Sequence, residues 1–255
     1  MDDLIWLTDA QMARIEPHFP LSHGVPRVDD RKVISGIVFV IKNGLRWRDA
    51  PKAYGPNKTL YNRFIRWSRM GVFDRIFADL AAQADEPEEV AIDATHLKAH
   101  RTAASPSKRG VLPRRIGRTK GGLNSKLHAV CDAKGRPIIL LLTEGQTSDY
   151  RGAATMLPAL PNATRTLIGD KGYDGDRLRD AIRARGIKPC IPPRKGRKSP
   201  ATYCRWTYKR RNVVERMFGR LKDWRRIATR YDRCAETFFA AIVIAATFAF
   251  WINES

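Results

Sequence analysis

Apolar residues recur at helical spacing through the first eighty positions and then switch to short alternating or continuous runs, so the chain changes character near residue 90. Thr8-Asp9-Ala10-Gln11 reads as a capping box that opens a first helix, and Glu16-Pro17 ends it. A second helix starts at Asp29-Asp30, carries Val33, Ile34, Ile37, Val38 and Ile41 on one stripe, and stops at Asn43-Gly44. A third runs from about Asn57 to Met70, with Leu60, Phe64 and Trp67 inward and Lys58, Asn62, Arg63, Arg66 and Arg69 elsewhere. Gly71 separates it from a fourth helix with Phe73, Ile76, Phe77 and Leu80. Ala82 to Glu89 is acidic and reads as a linker.

Strands follow. Val90 to Asp93 is apolar and ends on a carboxylate, Ser125 to Ala133 alternates, and Asp132 to Pro137 is a hairpin turn leading into Ile138 to Thr143. Tyr150 to Leu160 and Asp174 to Arg185 are helical, Arg165 to Asp170 and Lys188 to Pro192 strand-like, and two helices close the chain. The expected fold is therefore α+β: a helical, helix-turn-helix-like module over 1–82, a linker over 83–89, and a mixed β-sheet flanked by helices over 90–255. Asn62, Arg63 and Arg66, opposite the apolar face of the third helix, are the expected base or groove contacts.

Charge narrows the function. Forty-seven lysines and arginines stand against 26 aspartates and glutamates, a net charge of +21, which points to a polyanionic partner such as double-stranded DNA. Residues 185–233 alone hold 17 basic against 3 acidic side chains. A second basic stretch, Arg101 to Lys126, has no acid and is expected to be a loop that orders on DNA. The four cysteines are scattered without a C-x-x-C pair, which argues against zinc. The acidic start Met1-Asp2-Asp3 is unlike a secretory leader, and Phe238 to Ile252 falls short of the roughly 20 residues that cross a bilayer, so a cytoplasmic protein with a buried core helix and no membrane partner is expected.

Three carboxylates stand out: Asp93 and Asp170 at strand ends, and Glu215 inside a strongly basic helix. Oxygen ligands of this kind suit Mg²⁺ or Mn²⁺, and two such ions can promote in-line phosphoryl displacement. Asp149 and Asp174 precede helices and read as caps, while His96 and His100 read as a structural continuation of the first strand. On one continuous helix from Tyr208 to Lys222, the residues Tyr208, Arg211, Glu215 and Lys222 share one face, with Val213, Val214, Met217, Leu221 and Trp224 opposite. Taken alone, Arg211 and Glu215 would be an ordinary surface i, i+4 pair.

Those four residues match the Y-x-x-R-x-x-x-E-x-x-x-x-x-x-K signature of bacterial insertion-sequence DDE transposases in type and spacing. Ile92-Asp93-Ala94-Thr95 and Gly169-Asp170-Lys171-Gly172-Tyr173-Asp174 resemble the family's two aspartate blocks. Leu45-Arg46-Trp47-Arg48-Asp49-Ala50-Pro51 looks like the amino-terminal module of the subgroup related to insertion sequence five. The resemblance implies a ribonuclease-H-like catalytic domain and a metal-binding triad of Asp93, Asp170 and Glu215. It further implies cleavage at transposon ends and 3′-OH transfer to target DNA by a homodimer that pairs two ends in the bacterial nucleoid. The 45 residues between Asp170 and Glu215 leave room for a helix, a strand and a basic loop but not for the strand-rich insertion of some relatives. With Lys222 seven residues from Glu215, about 10.5 Å along a helix, Tyr208, Arg211 and Lys222 are expected to position DNA rather than metal. A nuclease without strand transfer and a non-catalytic DNA-binding regulator remain open.

Overall fold

The computed structural model describes residues 4–21, 28–105 and 114–253. Met1 to Asp3, and Lys108 and Arg109 of the basic stretch, lie outside them. In chain order the elements are α1 (Asp9–Ile15), α2 (Asp30–Asn43), α3 (Asn57–Arg69), α4 (Val72–Ala82), β1 (Glu89–Ala99), α5 (Arg101–Ala104), β2 (Gly117–Thr119), β3 (Gly122–Asp132) and β4 (Pro137–Glu144). There follow α6 (Asp149–Met156), β5 (Thr166–Ile168), α7 (Asp176–Ala184), β6 (Lys188–Cys190), α8 (Arg205–Lys209), α9 (Asn212–Lys222), α10 (Arg225–Ala228) and α11 (Ala235–Ala246).

The chain forms two compact units, one from residues 1–83, 100–114 and 221–255, the other from 84–99 and 115–220. In the helical unit α1 begins at the Thr8–Gln11 capping box and α2 is capped by Asp29, as the sequence predicts. The expected single stripe on α2 is instead burial on all sides from Val33 to Ile41. The reason is α11. Nearly every residue of that helix is apolar and buried, and it packs on α2, α3 and α4. A helix without a polar face has to be enclosed by several neighbours, so α11, which sequence order places with the strand-rich part of the chain, packs instead with the amino-terminal helices. No helix among the described residues is long and apolar enough to cross a membrane.

Leu60, Phe64 and Trp67 are buried on α3 as expected. Trp67 stacks on Phe19, and Trp47 lies on Phe64 with the Arg226 guanidinium over its ring. Lys58, Asn62 and Arg66 are exposed on α3. Arg63 is not. Its guanidinium pairs with Asp30 at 2.7 Å and lies over Trp67, which ties α3 to the start of α2.

In the second unit the sheet order is β2-β3-β1-β5-β6, and β4 pairs with the same edge of β3 beyond β2. β1 runs antiparallel to β3 and parallel to β5. One sheet face carries Val90, Ile92 and Val130 into an apolar core with Met156, Leu157, Leu178 and Ile182 from the α6 and α7 side. Residues 117–119 and 122–124, expected to be loop, are strand instead, because Arg118 and Leu123 pair in a tight hairpin and β3 continues to Asp132. β1 likewise runs past the expected end to Ala99.

Two positions generate tests. A Cβ at Gly36 would meet Tyr54 Cβ at 2.7 Å and Cγ at 2.9 Å, and Tyr54 is fully buried with its hydroxyl donating to the Ile5 carbonyl. Helix propensity favours alanine at such a site by about 1 kcal/mol, but the clash outweighs it. Gly36→Ala is expected to destabilise the protein by about 1–3 kcal/mol in chemical denaturation; a stabilised variant would refute the close packing.

His128 is fully enclosed in β3 with Nε2 against the Thr143 hydroxyl, and burial lowers its pKa to about 4 from the usual 6.5. Between those values the unfolded chain takes up a proton that the folded chain refuses, so stability falls as pH falls from 6.5 toward 4. The loss should reach about 3 kcal/mol. His128→Gln should flatten that part of the pH–stability curve, and an identical slope in both proteins would exclude the assignment.

Candidate active site

Register alone brings two of the expected carboxylates together. Ala91 pairs with Ile168 at the end of the parallel β1–β5 ladder, so two residues further along each chain Asp93 and Asp170 come near enough for the charge of one to act on the other. Asp93 is in mid-strand rather than at a strand end, and Asp170 follows β5, where its carboxylate accepts the Gly172 amide at 2.7 Å and caps a short helical turn. One aspartate thus sits within its strand and the other just past the end of the neighbouring strand, rather than both at strand ends.

The electrostatics follow from that placement. Burial pushes the Asp93 carboxyl up and Asp170 adds to the rise, while the Ala94 amide and Arg211 pull it down. Arg211 donates to Asp93 at 2.9 Å and to Glu215 at 2.5 Å, so one guanidinium joins the first strand to the third carboxylate. Burial disfavours the Arg211 charge, but Asp93, Glu215 and a hydrogen bond with Tyr208 hold its pKa above the usual value. Glu215 remains half exposed.

The expected continuous helix from Tyr208 to Lys222 is two helices, α8 and α9, with a break at Arg210–Arg211. Tight i to i−3 bonds close the break: the Arg211 amide donates to the Tyr208 carbonyl, and those of Val213 and Val214 to Arg210 and Arg211. Both arginines reach back to β1, where Arg210 pairs with Glu89 at 2.6 Å. At the same place the β3–β4 hairpin abuts α9, and a Cβ on Gly135 would lie 3.2 Å from the Val213 carbonyl oxygen. Val214, Met217, Leu221 and Trp224 are buried as expected, whereas Val213 is only half-buried. Lys222 is on α9 about 10.5 Å along the axis from Glu215.

A clamp without a clear sequence signal fixes the Asp170 loop. Asp174 is buried and paired with Arg179 at 2.7 Å and Arg197 at 3.0 Å, and its other oxygen accepts the Arg194 amide. Burial works to raise its pKa, yet the Arg194 amide and the two guanidinium groups hold it below the usual carboxylate range. Arg194 in turn donates to the carbonyls of Lys171 and Gly172. Asp174 is therefore not a helix cap; Gly175 occupies the cap position of α7. Asp149 is not a cap either, since Ser148 caps α6 and Asp149 pairs with Lys126 at 2.6 Å. The basic excess of 185–233 is likewise partly internal, because Arg226 and Arg230 are buried and Arg194 and Arg197 serve the clamp. Trp206, also missed by sequence reasoning, is 70% exposed with the Arg210 guanidinium 4.9 Å from its ring; the interleaving of aromatic and basic residues over 203–210 is its only sequence signal.

The donor set is of the kind a hard cation takes: the carboxylate oxygens of Asp93 and Asp170, and those of Glu215, tied to Asp93 by a guanidinium that already supplies positive charge between them. Among the described residues no three histidines, cysteines or acidic side chains are gathered into one coordination group. Asp93 and Glu215 are both held by Arg211, so each would have to exchange that guanidinium for an ion, whereas Asp170 has no such partner among the described residues to give up.

Residues 7–77 match the family described as "Putative transposase of IS4/5 family", and residues 84–250 match the family "Transposase DDE domain". The "Putative transposase for insertion sequence element IS402" of Burkholderia cepacia is 32% identical over 157 residues, 54% of this chain and 72% of that protein. The "Putative transposase for insertion sequence element IS6501" of Brucella ovis is 34% identical over 125 residues, 48% of this chain and 95% of that protein. Among solved structures, the piggyBac transposase synaptic complex with hairpin DNA superimposes with a TM-score of 0.50 at 9% identity, covering 94% of this chain and 69% of that one, a likeness of fold. With a DDE-domain match over well more than half its length and an IS4/5 match over most of the remainder, the chain belongs to the bacterial insertion-sequence DDE transposases.

Proposed function

We propose that this DNA transposase cuts at the ends of its element and joins the freed 3′-OH to target DNA, using Asp93, Asp170 and Glu215 to hold one or two Mg²⁺ or Mn²⁺ ions. The observation that carries the reading is the nearness of Asp93 to Asp170, whose charge acts on it, with Glu215 tied to Asp93 through Arg211. When bound, divalent metal activates the attacking oxygen and stabilises the leaving one. The chain's own residues prepare for that exchange. Asp93 is held partly desolvated beside Asp170, which favours a cation partner. Arg211 neutralises Asp93 and Glu215, and it turns to a DNA phosphate when metal takes its place. Tyr208 orients Arg211, and Lys222, beyond metal reach, binds the DNA backbone.

Recognition of the ends belongs to the exposed face of α3, with Asn62 and Arg66 contacting bases or groove and Lys58 nearby. Arg63 is withdrawn from that role by its pairing with Asp30. A single carboxylate set per chain and two element ends call for a homodimer on DNA. The substrate places the protein with the bacterial nucleoid in the cytoplasm.

Replacing Asp93, Asp170 or Glu215 by the matching amide is expected to abolish cleavage and joining on a supercoiled plasmid carrying element ends with Mg²⁺, while DNA binding persists. Comparable cleavage by Asp170→Asn would overturn the triad, and nicks without joined products in the unaltered protein would indicate a nuclease instead. Lys222→Ala should lower the slope of log affinity against log salt by about one; an unchanged slope would remove Lys222 from the DNA surface. The double substitution Asn62→Ala/Arg66→Ala should reduce discrimination between end-containing and scrambled duplexes by about 1–3 kcal/mol for each base that these side chains read. Undiminished discrimination would place recognition elsewhere. Substitution is the better test than removal of 1–82, which would strip α11 of its cover.

A further inference from the structure

β1 carries a second set of polar residues on the sheet face opposite Asp93. Odd-numbered positions such as Asp93 face one way, and His96 and Lys98 face the other. Lys98 lies opposite Asn124 on β3, and Asn124 lies opposite Gly117 on β2, so three neighbouring strands contribute to one floor. Near Val90 and Ile92 this face is sealed by the apolar core. Beyond it the floor opens into a groove of about 520 Å³ lined by His96, Lys98, Thr119, Lys120, Gly121 and Asn124.

The groove is built rather than incidental. Asn124 is 5% exposed, and its amide nitrogen donates to the Thr119 hydroxyl at 2.6 Å and the Gly122 carbonyl at 3.0 Å. Its oxygen meets His96 Nδ1 at 3.1 Å. Since that oxygen can only accept, Nδ1 is the donor, and the bond fixes the ring against the floor of the groove. Lys98 and Lys120 are exposed, neither forms an ion pair among the described residues, and no carboxylate lines the groove. Two uncompensated ammonium groups flanking fixed hydrogen-bonding side chains select an anion with several acceptor oxygens.

We propose that this groove binds a phosphate of the DNA backbone at a point separate from the reacting phosphodiester. Lys98 is five residues from Asp93, about 16 Å along the strand, and on the opposite face. That span is roughly five base-pair rises, so the phosphate held here belongs to another part of the DNA. The inference rests on the reading that the chain acts on DNA, and it adds a contact that anchors the duplex without touching the chemistry.

The test uses the full chain and a short duplex of arbitrary sequence. Lys98→Ala/Lys120→Ala should lower the slope of log affinity against log salt by about two, Lys98→Arg/Lys120→Arg should retain it, and cleavage at saturating end DNA should be unchanged. In the unaltered protein the duplex should protect both lysines from acetylation by a small reagent. An unaltered slope, or lysines equally reactive with and without duplex, would overturn the inference while Mg²⁺-dependent cleavage by the same preparation still upheld the transposase reading. Equal protection by inorganic phosphate alone would make the groove a small-anion site and also overturn it. If the unaltered protein neither bound nor cut DNA, both readings would fall together.

Discussion

The pairing of Arg211 with Asp93 joins residues 118 positions apart and determines what the rest of the site can be. Neither group would be comfortable alone at this depth, since burial raises one pKa and works against the charge of the other. Together they bring the start of α9 onto β1, and Glu215 comes with it one helical turn later. The parallel register supplies Asp170, and the Gly135 hairpin and the Arg210–Glu89 pair keep the helix from sliding. An ion pair of this kind adds little net stability. Its importance is positional, because it makes the relative placement of Asp93 and Glu215 depend on a single guanidinium.

Much of this is legible in the sequence because local chemistry and long-range requirements agree. The capping box, the ends of α2, the buried face of α3 and the hairpin after Asp132 each follow from side chains that satisfy their own neighbourhood. The three carboxylates come from the family resemblance, and the alignment of β1 with β5 brings two of them near each other. What stays hidden depends on partners distant in sequence. The break between α8 and α9 arises where Arg210 and Arg211 reach to β1, and helical periodicity carries no trace of it. The withdrawal of Arg63 by Asp30 and the enclosure of α11 are of the same kind. Counting charges also misleads, since a buried Arg230 over the Phe238 ring adds to net charge without adding to any surface.

The helical unit shows why an apolar terminal segment and an amino-terminal module cannot be treated as separate pieces. α11 supplies the wall that α2, α3 and α4 lack, and Arg226 reinforces the arrangement by donating to the Leu45 carbonyl while pairing with Asp232. The exposed face of α3 thereby gains a rigid backing from the far end of the chain.

The clamp around Asp174 bears on how such chains vary. Between Asp170 and Glu215 the backbone is fastened at Asp174, Arg179, Arg194 and Arg197, each through bonds that would break if extra residues were inserted beside them. The stretch 198–204 carries no such fastening to the Asp170 loop and is half to fully exposed. Added chain is therefore better accommodated there than beside the clamp. An insertion between Asp170 and Glu215 leaves the clamp intact where it enters beyond Arg197 rather than among the residues that Asp174 and Arg194 hold together.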